Sequence, residues 1–342
     1  MSTDQLPSAA VRTPAIESAF VTLAELQARL QAGHFLLAEI HFGETPPDPA
    51  PEHPRVTVGM AQLNVPPRIE AWFSAQPVSY RRSGAIHYAC NEQVLFGGIA
   101  LAEIAPTRFE TAIHDCYLDI LKLLDAQGFP HLLRMWNYFP AIHVVFNDLD
   151  RYQSFCRGRF ESLAEYYRNQ FDQRLPAASA VGTRDGDLVI YFIAATTPGE
   201  HCENPRQMSA YRYPPQYGPR SPSFARATLK RWDGAADLYI SGTASIVGHE
   251  SLHLDDPRAQ LEETLENIRA LIERVGRTES VVFNGLDSLT HLKVYVRHPE
   301  HLSLIQPRLD ALFGPHVARL YLTADICRAE LLMEIEAIAR VA

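Results

Sequence analysis

The chain has 342 residues and a net charge of −9, from 31 Lys and Arg against 40 Asp and Glu, which disfavours a nucleic-acid binder unless basic residues cluster locally. At 46% hydrophobic and 21% charged it has a globular composition, and its length suits two domains. No apolar run nears the roughly 20 residues that span a bilayer, and the start MSTDQLPSAAV lacks the basic segment and apolar core of a secretory signal, so a cytoplasmic protein without membrane association is expected.

Residues 1–15 are small and polar and read as loose. Helical spacing follows over Phe20–Leu30, with Leu23, Leu26 and Leu30 on one face. Five prolines in the nine residues Pro46–Pro54 exclude helix and strand. Ile86–Ala102 reads as one or two buried strands around Gly97 and Gly98, and Phe109–Gln127 as an amphipathic helix stopped by Gly128. Leu132–Phe139 is a strand and Asp150–Phe171 a second helix. The Ala/Ser/Gly-rich stretch Leu175–Asp187 reads as a boundary. Beyond it come strands at Asp187–Thr196, Ala236–Val247 and Leu292–Val296. Helices are expected at Leu261–Val275, stopped by Gly276, and at Leu302–Leu312, with a last strand or strand–bend over Cys327–Val341. The halves repeat one order: a Gly-containing apolar strand, a long helix, His-Leu, a strand, a second helix. His131-Leu132 aligns with His291-Leu292, which suggests a duplicated α/β unit.

Four groups of residues carry candidate chemistry. Asn204–Arg231 holds Arg206, Arg212, Arg220, Arg226, Lys230 and Arg231 with no acid, interleaved with five prolines and three tyrosines. It reads either as a pocket wall for a small polyanion or as a solvated basic loop. His249, Glu250 and His253 spell HExxH, a zinc pattern when it lies on a helix; here a strand-like run leads in and Asp255-Asp256-Pro257 follows, so a turn is expected and no metal is assigned. In a terminal strand Glu334 and Glu336 share a face, and a carboxyl among apolar neighbours stays protonated, as a general acid must. Tyr152 and Arg159, seven apart on a helix, share a side, with Trp136-Asn137-Tyr138 available to pack beneath them. The five cysteines (Cys90, Cys116, Cys156, Cys202, Cys327) form no CxxC pair, which fits a reduced compartment; Cys327 reads as a nucleophile or as a small buried hydrophobe. No glycine-rich nucleotide cradle is present.

Ile240-Ser241-Gly242, the helix through Gln260, Glu266 and Asn267, Leu292–Val296 and Glu334–Ala339 resemble a RidA/YjgF-type subunit over residues 181–342. The whole chain resembles the chorismatases, through Arg134–Tyr138, Arg157–Phe160, Asn204–Gln207 and the Tyr211–Arg226 run. The resemblance implies an α/β (α+β) fold of two RidA/YjgF-like, chorismate-mutase-like domains, residues 1–180 and 181–342. Each would have a mixed sheet with helices on one face. It implies cleavage of the enolpyruvyl ether of chorismate with release of pyruvate. One branch of the family yields a dihydroxy-cyclohexadiene acid. Another yields 3-hydroxybenzoate, and the kin most like this chain also give 4-hydroxybenzoate; ubiquinone and pigment precursors are the implied products. The resemblance matches Glu334 to the catalytic acid and Cys327 to the cysteine of the hydroxybenzoate branch. It matches Tyr152, Arg159, Tyr213 and Arg226 to the carboxylate-binding groups, and places a product-tuning small residue on the Ser241–Ala244 strand, taken here as Ala244. No cofactor is implied, and fusion of two copies suggests a monomer. A plain RidA-type deaminase, a non-catalytic binder of aromatic acids and a zinc hydrolase are the rival readings.

Overall fold

The computed structural model describes residues 15–43, 51–102, 104–279 and 281–341. Residues 1–14 of the segment expected to be loose lie outside these, as do residues 46–50 of the proline run; residues 51–54 are irregular and lead into a strand. The first stretch holds β1 (Ile16–Val21), α1 (Leu23–Gln31), β2 (Phe35–Phe42), β3 (Arg55–Val58) and β4 (Ile69–Ser74). The first helix therefore starts after Phe20, which belongs to β1. Thr22 sets that start through a capping box: its side chain accepts from Glu25 N, and Glu25 Oε2 accepts from Thr22 N at 2.7 Å. Of its leucines only Leu26 is buried, whereas Leu23 and Leu30 are exposed, so α1 meets its sheet through a single turn.

The second stretch contains β5 (Ser79–Ser83), β6 (Ile86–Cys90), β7 (Val94–Leu101), α2 (Pro106–Gln127) and β8 (His131–Pro140). A short hairpin, β9 (Val145–Phe146) and β10 (Leu149–Asp150), leads into α3 (Arg151–Tyr167), β11 (Ala177–Thr183) and β12 (Leu188–Ala195). Asp150 caps α3 by accepting from Gln153 N at 2.7 Å. The third stretch contains β13 (Glu200–Cys202), β14 (Ala227–Trp232), β15 (Ala235–Thr243), a hairpin of β16 (Ile246–Val247) and β17 (Glu250–Ser251), α4 (Pro257–Thr278), β18 (Leu289–Val296), α5 (Leu302–Leu312), β19 (Ala318–Thr323) and β20 (Met333–Val341). Gly128 ends α2 in the left-handed region at φ 80°. Gly276 does not end α4, which runs on to Thr278.

The strand orders expose the repeat. The second sheet runs β11-β8-β12-β7-β6-β5 and the third runs β19-β18-β20-β15-β14-β13. In both, the innermost pairs are antiparallel and the pair after the second helix is parallel. The first sheet, β3-β2-β4-β1, repeats four of those strands, from the parallel edge inward, with the same senses; among the described residues it shows no counterpart of the leading hairpin or of the second helix. The described residues thus form two six-stranded units and a four-stranded one, where two units were expected. The expected boundary at 180/181 falls inside β11. Residues 177–183, part of the stretch that reads as a linker, form a strand of the second sheet, and the change of sheet comes after Ala195. The small residues that suggested a linker instead let β11 pack closely against a neighbouring sheet.

Each sheet has helices on one face only. Leu26 of α1 packs on the first sheet, α2 and α3 on the second, α4 and α5 on the third. The other faces turn inward and share one core, in which Leu37 and Trp72, Trp136 and Tyr191, and Tyr239 and Leu320 meet from the three sheets. Gly98 of β7 marks how tightly the first two sheets close: a Cβ there would lie 2.7 Å from Val56 Cγ2. The seam between the second and third sheets is the one that opens.

Candidate active site

A cavity of about 400 Å³ occupies that seam. All seven residues singled out in the sequence line it: Tyr152, Arg159, Tyr213, Arg226, Ala244, Cys327 and Glu334. Their backbones come from separate elements. Tyr152 and Arg159 lie two turns apart on α3. Ala244 follows β15, Glu334 lies at the start of β20, and Tyr213, Arg226 and Cys327 lie on loops between strands of the third sheet. Ala178, Ser179 and Ala180 of β11 form the opposite wall.

Glu334 is 5% exposed, and its carboxyl accepts no hydrogen bond from the described residues. Burial pushes it up to about 8, helped by the charge of Glu336; Arg134 and Arg226 oppose the shift. Gly242 makes room for it, because a Cβ there would overlap the Glu334 carboxylate. The pairing of β15 with β20 slips between Ile240 and Thr243, and this irregularity lets β15 diverge beside the acid. Glu336, two residues on, is treated in the opposite way. Burial alone would raise it, but the charges of Lys293 and Arg134 and the hydrogen bonds of Ser179 and Lys293 hold it below the usual carboxylate range. A strand with two carboxyls on one face therefore carries one acid and one anion near neutral pH.

The cavity is rich in unengaged cationic donors. Nε and Nη2 of Arg159, Nε of Arg226 and Nη2 of Arg328 are buried without a hydrogen-bond partner among the described residues. Buried guanidinium nitrogens left so are costly unless a ligand completes them. The rest of each group is fixed. Arg226 Nη2 donates to Met208 O at 2.7 Å and to Tyr213 OH at 2.8 Å. Arg159 lies over the Tyr117 ring at 5.3 Å. Arg328 stacks on Tyr217 at 3.9 Å and donates to His249 O and Ser251 Oγ. The arrangement suits a small dianion with flat carboxylates.

Cys327 turns its exposed part to this cavity. Burial pushes its thiol up to about 12, and the Glu334 charge adds to that, so it is a neutral S–H rather than a thiolate. Cys156 lines the same wall and is likewise pushed up to about 12 by burial.

Sequence reasoning missed Arg328, which adjoins Cys327 in the chain but carries no pattern of its own, and Ser223, whose buried Oγ faces the cavity without a partner. The basic segment divides. Arg226 alone among its six cations lines the cavity, accompanied by Tyr213 and Tyr217. Arg206 pairs with Glu263 at 2.7 Å, Arg231 pairs with Glu200, Lys230 donates to Thr197 O, and Arg220 lies over Phe160. The HExxH segment is the β16–β17 hairpin and the turn after it, not a helix. His249 Nδ1 meets Tyr217 OH at 3.1 Å and His253 Nε2 meets Glu263 at 3.1 Å, so the two rings serve different partners. Its visible task is to hold Arg328. Trp136-Asn137-Tyr138 splits by strand alternation: Asn137 bonds Tyr117 OH near Arg159, while Trp136 and Tyr138 turn into the central core.

Known proteins match this architecture over nearly its whole length. Residues 70–194 match the family described as chorismatase FkbO/Hyg5-like, N-terminal. A 3-hydroxybenzoate synthase of Streptomyces hygroscopicus is 34% identical over 317 residues, covering 90% of this chain and 92% of the relative. The chain belongs to the chorismatase family. A chorismatase of Streptomyces rapamycinicus is 37% identical over 275 residues, covering 79% of this chain and 81% of its own length. A solved chorismatase structure superposes with a TM-score of 0.87 at 30% identity, over 96% of this chain and 100% of that one. The match agrees with the mixed α/β fold class read from the sequence. Among the described residues no helix is long and apolar enough to cross a membrane.

Proposed function

We propose that this chorismatase converts chorismate to pyruvate and 3-hydroxybenzoate, with 4-hydroxybenzoate as a second aromatic product. The observation that carries this reading is a carboxyl pushed up to about 8 inside a cavity whose guanidinium donors lack partners. Chorismate presents what such a site lacks: two carboxylates and a vinyl ether. Protonating the ether's terminal methylene places positive charge on the ether carbon, so the acid must be neutral before reaction and is an anion once it has given its proton. Glu334 meets that need at neutral pH. Arg159 and Arg226 hold the carboxylates with Arg328, while Tyr152 and Tyr213 orient them.

Once the methylene is protonated, the ring carbon–oxygen bond breaks and its electrons pass to the oxygen, which leaves as the carbonyl of pyruvate. The neighbouring ring hydroxyl closes onto the ring carbon, losing its proton, to form an arene-oxide-like intermediate. Cys327, as a neutral thiol, assists its opening, and loss of a ring proton makes the product aromatic. No water is consumed.

The test is to incubate the purified protein with chorismate and to follow pyruvate and ring products by chromatography. Pyruvate together with 3-hydroxybenzoate is expected. Pyruvate with only a non-aromatic diol acid would reject the product assignment, and absence of pyruvate would reject the reading as a whole.

A further inference from the structure

The first sheet sends no side chain to the cavity, yet it supplies one buried charge to the strand that carries the acid. Glu70 of β4 is 2% exposed. Its Oε1 accepts from Trp72 Nε1 at 3.0 Å, and its Oε2 from Tyr191 OH at 3.0 Å and Lys293 Nζ at 2.8 Å. Lys293 Nζ also lies 2.9 Å from Glu336 Oε1. Glu336 accepts further from Arg134 at 2.8 Å, Trp136 and Ser179 at 2.6 Å, and Tyr295 at 3.0 Å. Two carboxylates and two cations therefore meet where the three sheets join, all but sealed from water, with formal charges that cancel.

Glu334 sits next to this cluster, about 7 Å along β20 from Glu336 and on the same face. Arg159, Arg328 and Glu330 line the same cavity, but three other charges act on Glu334 most directly. Glu336 and Arg134 lie on the cluster side, and Arg226 lies across the cavity; Cys327 and Tyr152 face it as neutral groups. In a dry environment at that separation, adding or removing one charge is felt strongly. We propose, on the reading of Glu334 as the acid, that Glu70, Lys293 and Glu336 are positioning residues that balance the charge facing Glu334, so that the first sheet acts on the site from outside the cavity.

The rival is a purely structural plug that fastens three sheets together. The two differ in sign. Deleting an anion leaves the cluster net positive and draws the proton off Glu334. Deleting the cation leaves it net negative and retains the proton. A plug predicts loss of stability and a rate lowered equally at all pH values.

The experiment uses the full chain with Glu336→Gln, Glu70→Gln and Lys293→Met. The carboxyl stretch of Glu334 is titrated by infrared difference spectroscopy without substrate, with Glu334→Gln identifying the band, and kcat/KM for chorismate is followed against pH. Glu336→Gln should lower the Glu334 midpoint by about 1–2 pH units, Glu70→Gln should lower it less, and Lys293→Met should raise it. Unchanged midpoints in Glu336→Gln and Glu70→Gln, or a downward shift in Lys293→Met, would overturn the inference. If Lys293→Met does not fold, the two glutamine variants decide alone. Infrared shifts without chorismate turnover would uphold the charge balance and reject the proposed function; turnover with no shift would do the reverse.

Discussion

Glu334 and Glu336 stand two residues apart on one face of β20, and the difference between them lies in what the neighbouring sheets bring to each. At Glu336 all three sheets converge, and five side chains donate to the carboxylate. At Glu334 the sheets part. β11 presents small residues, β15 presents Gly242, and no described donor reaches the carboxyl. Equal burial thus yields an anion where donors are supplied and an acid where they are withheld. Opening one seam of a repeated architecture produces both the space for a ligand and the chemistry to act on it.

The sharpest way to break this contrast is to remove the proton from the open end. Glu334→Gln should lower chorismate turnover by about 10²–10⁴-fold while binding survives, because the amide keeps the shape and loses the acid; stopped-flow binding beside steady-state pyruvate release would check it, and turnover near normal would end the assignment. Removing an unengaged donor comes next. Arg159→Met should raise KM by about 50-fold with a smaller change in kcat, as expected for a charge-assisted hydrogen bond to bound substrate. Arg328→Met should have the same sign and a smaller size, since Arg328 is partly held by His249 O and Ser251. An unchanged KM in Arg159→Met would remove it from substrate binding. Cys327→Ala should leave pyruvate release near wild type and divert product from 3-hydroxybenzoate; a constant product ratio, read by chromatography, would remove its role in ring opening.

Much of the open end is legible in the sequence, and little of the closed end. Glu334 is marked by strand alternation, and Arg226 by an acid-free run of arginines and tyrosines. Tyr152 and Arg159 are marked by their spacing on α3. These are local signals. Glu336 carries the same local signal as Glu334, and nothing nearby in the chain tells which carboxyl is anion and which is acid. That depends on Lys293, Arg134 and Glu70, which are remote in sequence and come together only when the sheets close. Arg328 is unreadable for the same reason: its guanidinium is set by the β16–β17 hairpin, whose letters suggested zinc. The unit of the first sheet escaped notice because its letters show neither the long helix ending in Gly nor the His-Leu strand that made the other two recognisable. The 175–187 stretch misled because small residues mark both a flexible linker and a strand that packs closely, and here they serve the second purpose.

The contrast has a consequence for stability as well. In the unfolded chain Glu334 ionises near its ordinary value of 4.5, whereas in the fold it does so at about 8. Below the lower value both states are protonated and the residue is neutral toward folding. Between the two values the unfolded state has lost the proton and the folded state still binds it, so stability falls as pH rises, by at most about 1.4 kcal/mol per pH unit. Above the higher value the penalty is constant. Glu334→Gln escapes it. The variant should therefore match the parent in urea unfolding at pH 4 and exceed it by a margin that grows toward pH 8, on the order of 2–4 kcal/mol there. Glu336→Gln should show no such gain, since it takes the carboxylate partner from Arg134 and one of two from Lys293. A Glu334→Gln advantage that does not vary with pH would mean that the open end of β20 does not hold its proton, and the difference between the two carboxyls would lose its physical basis.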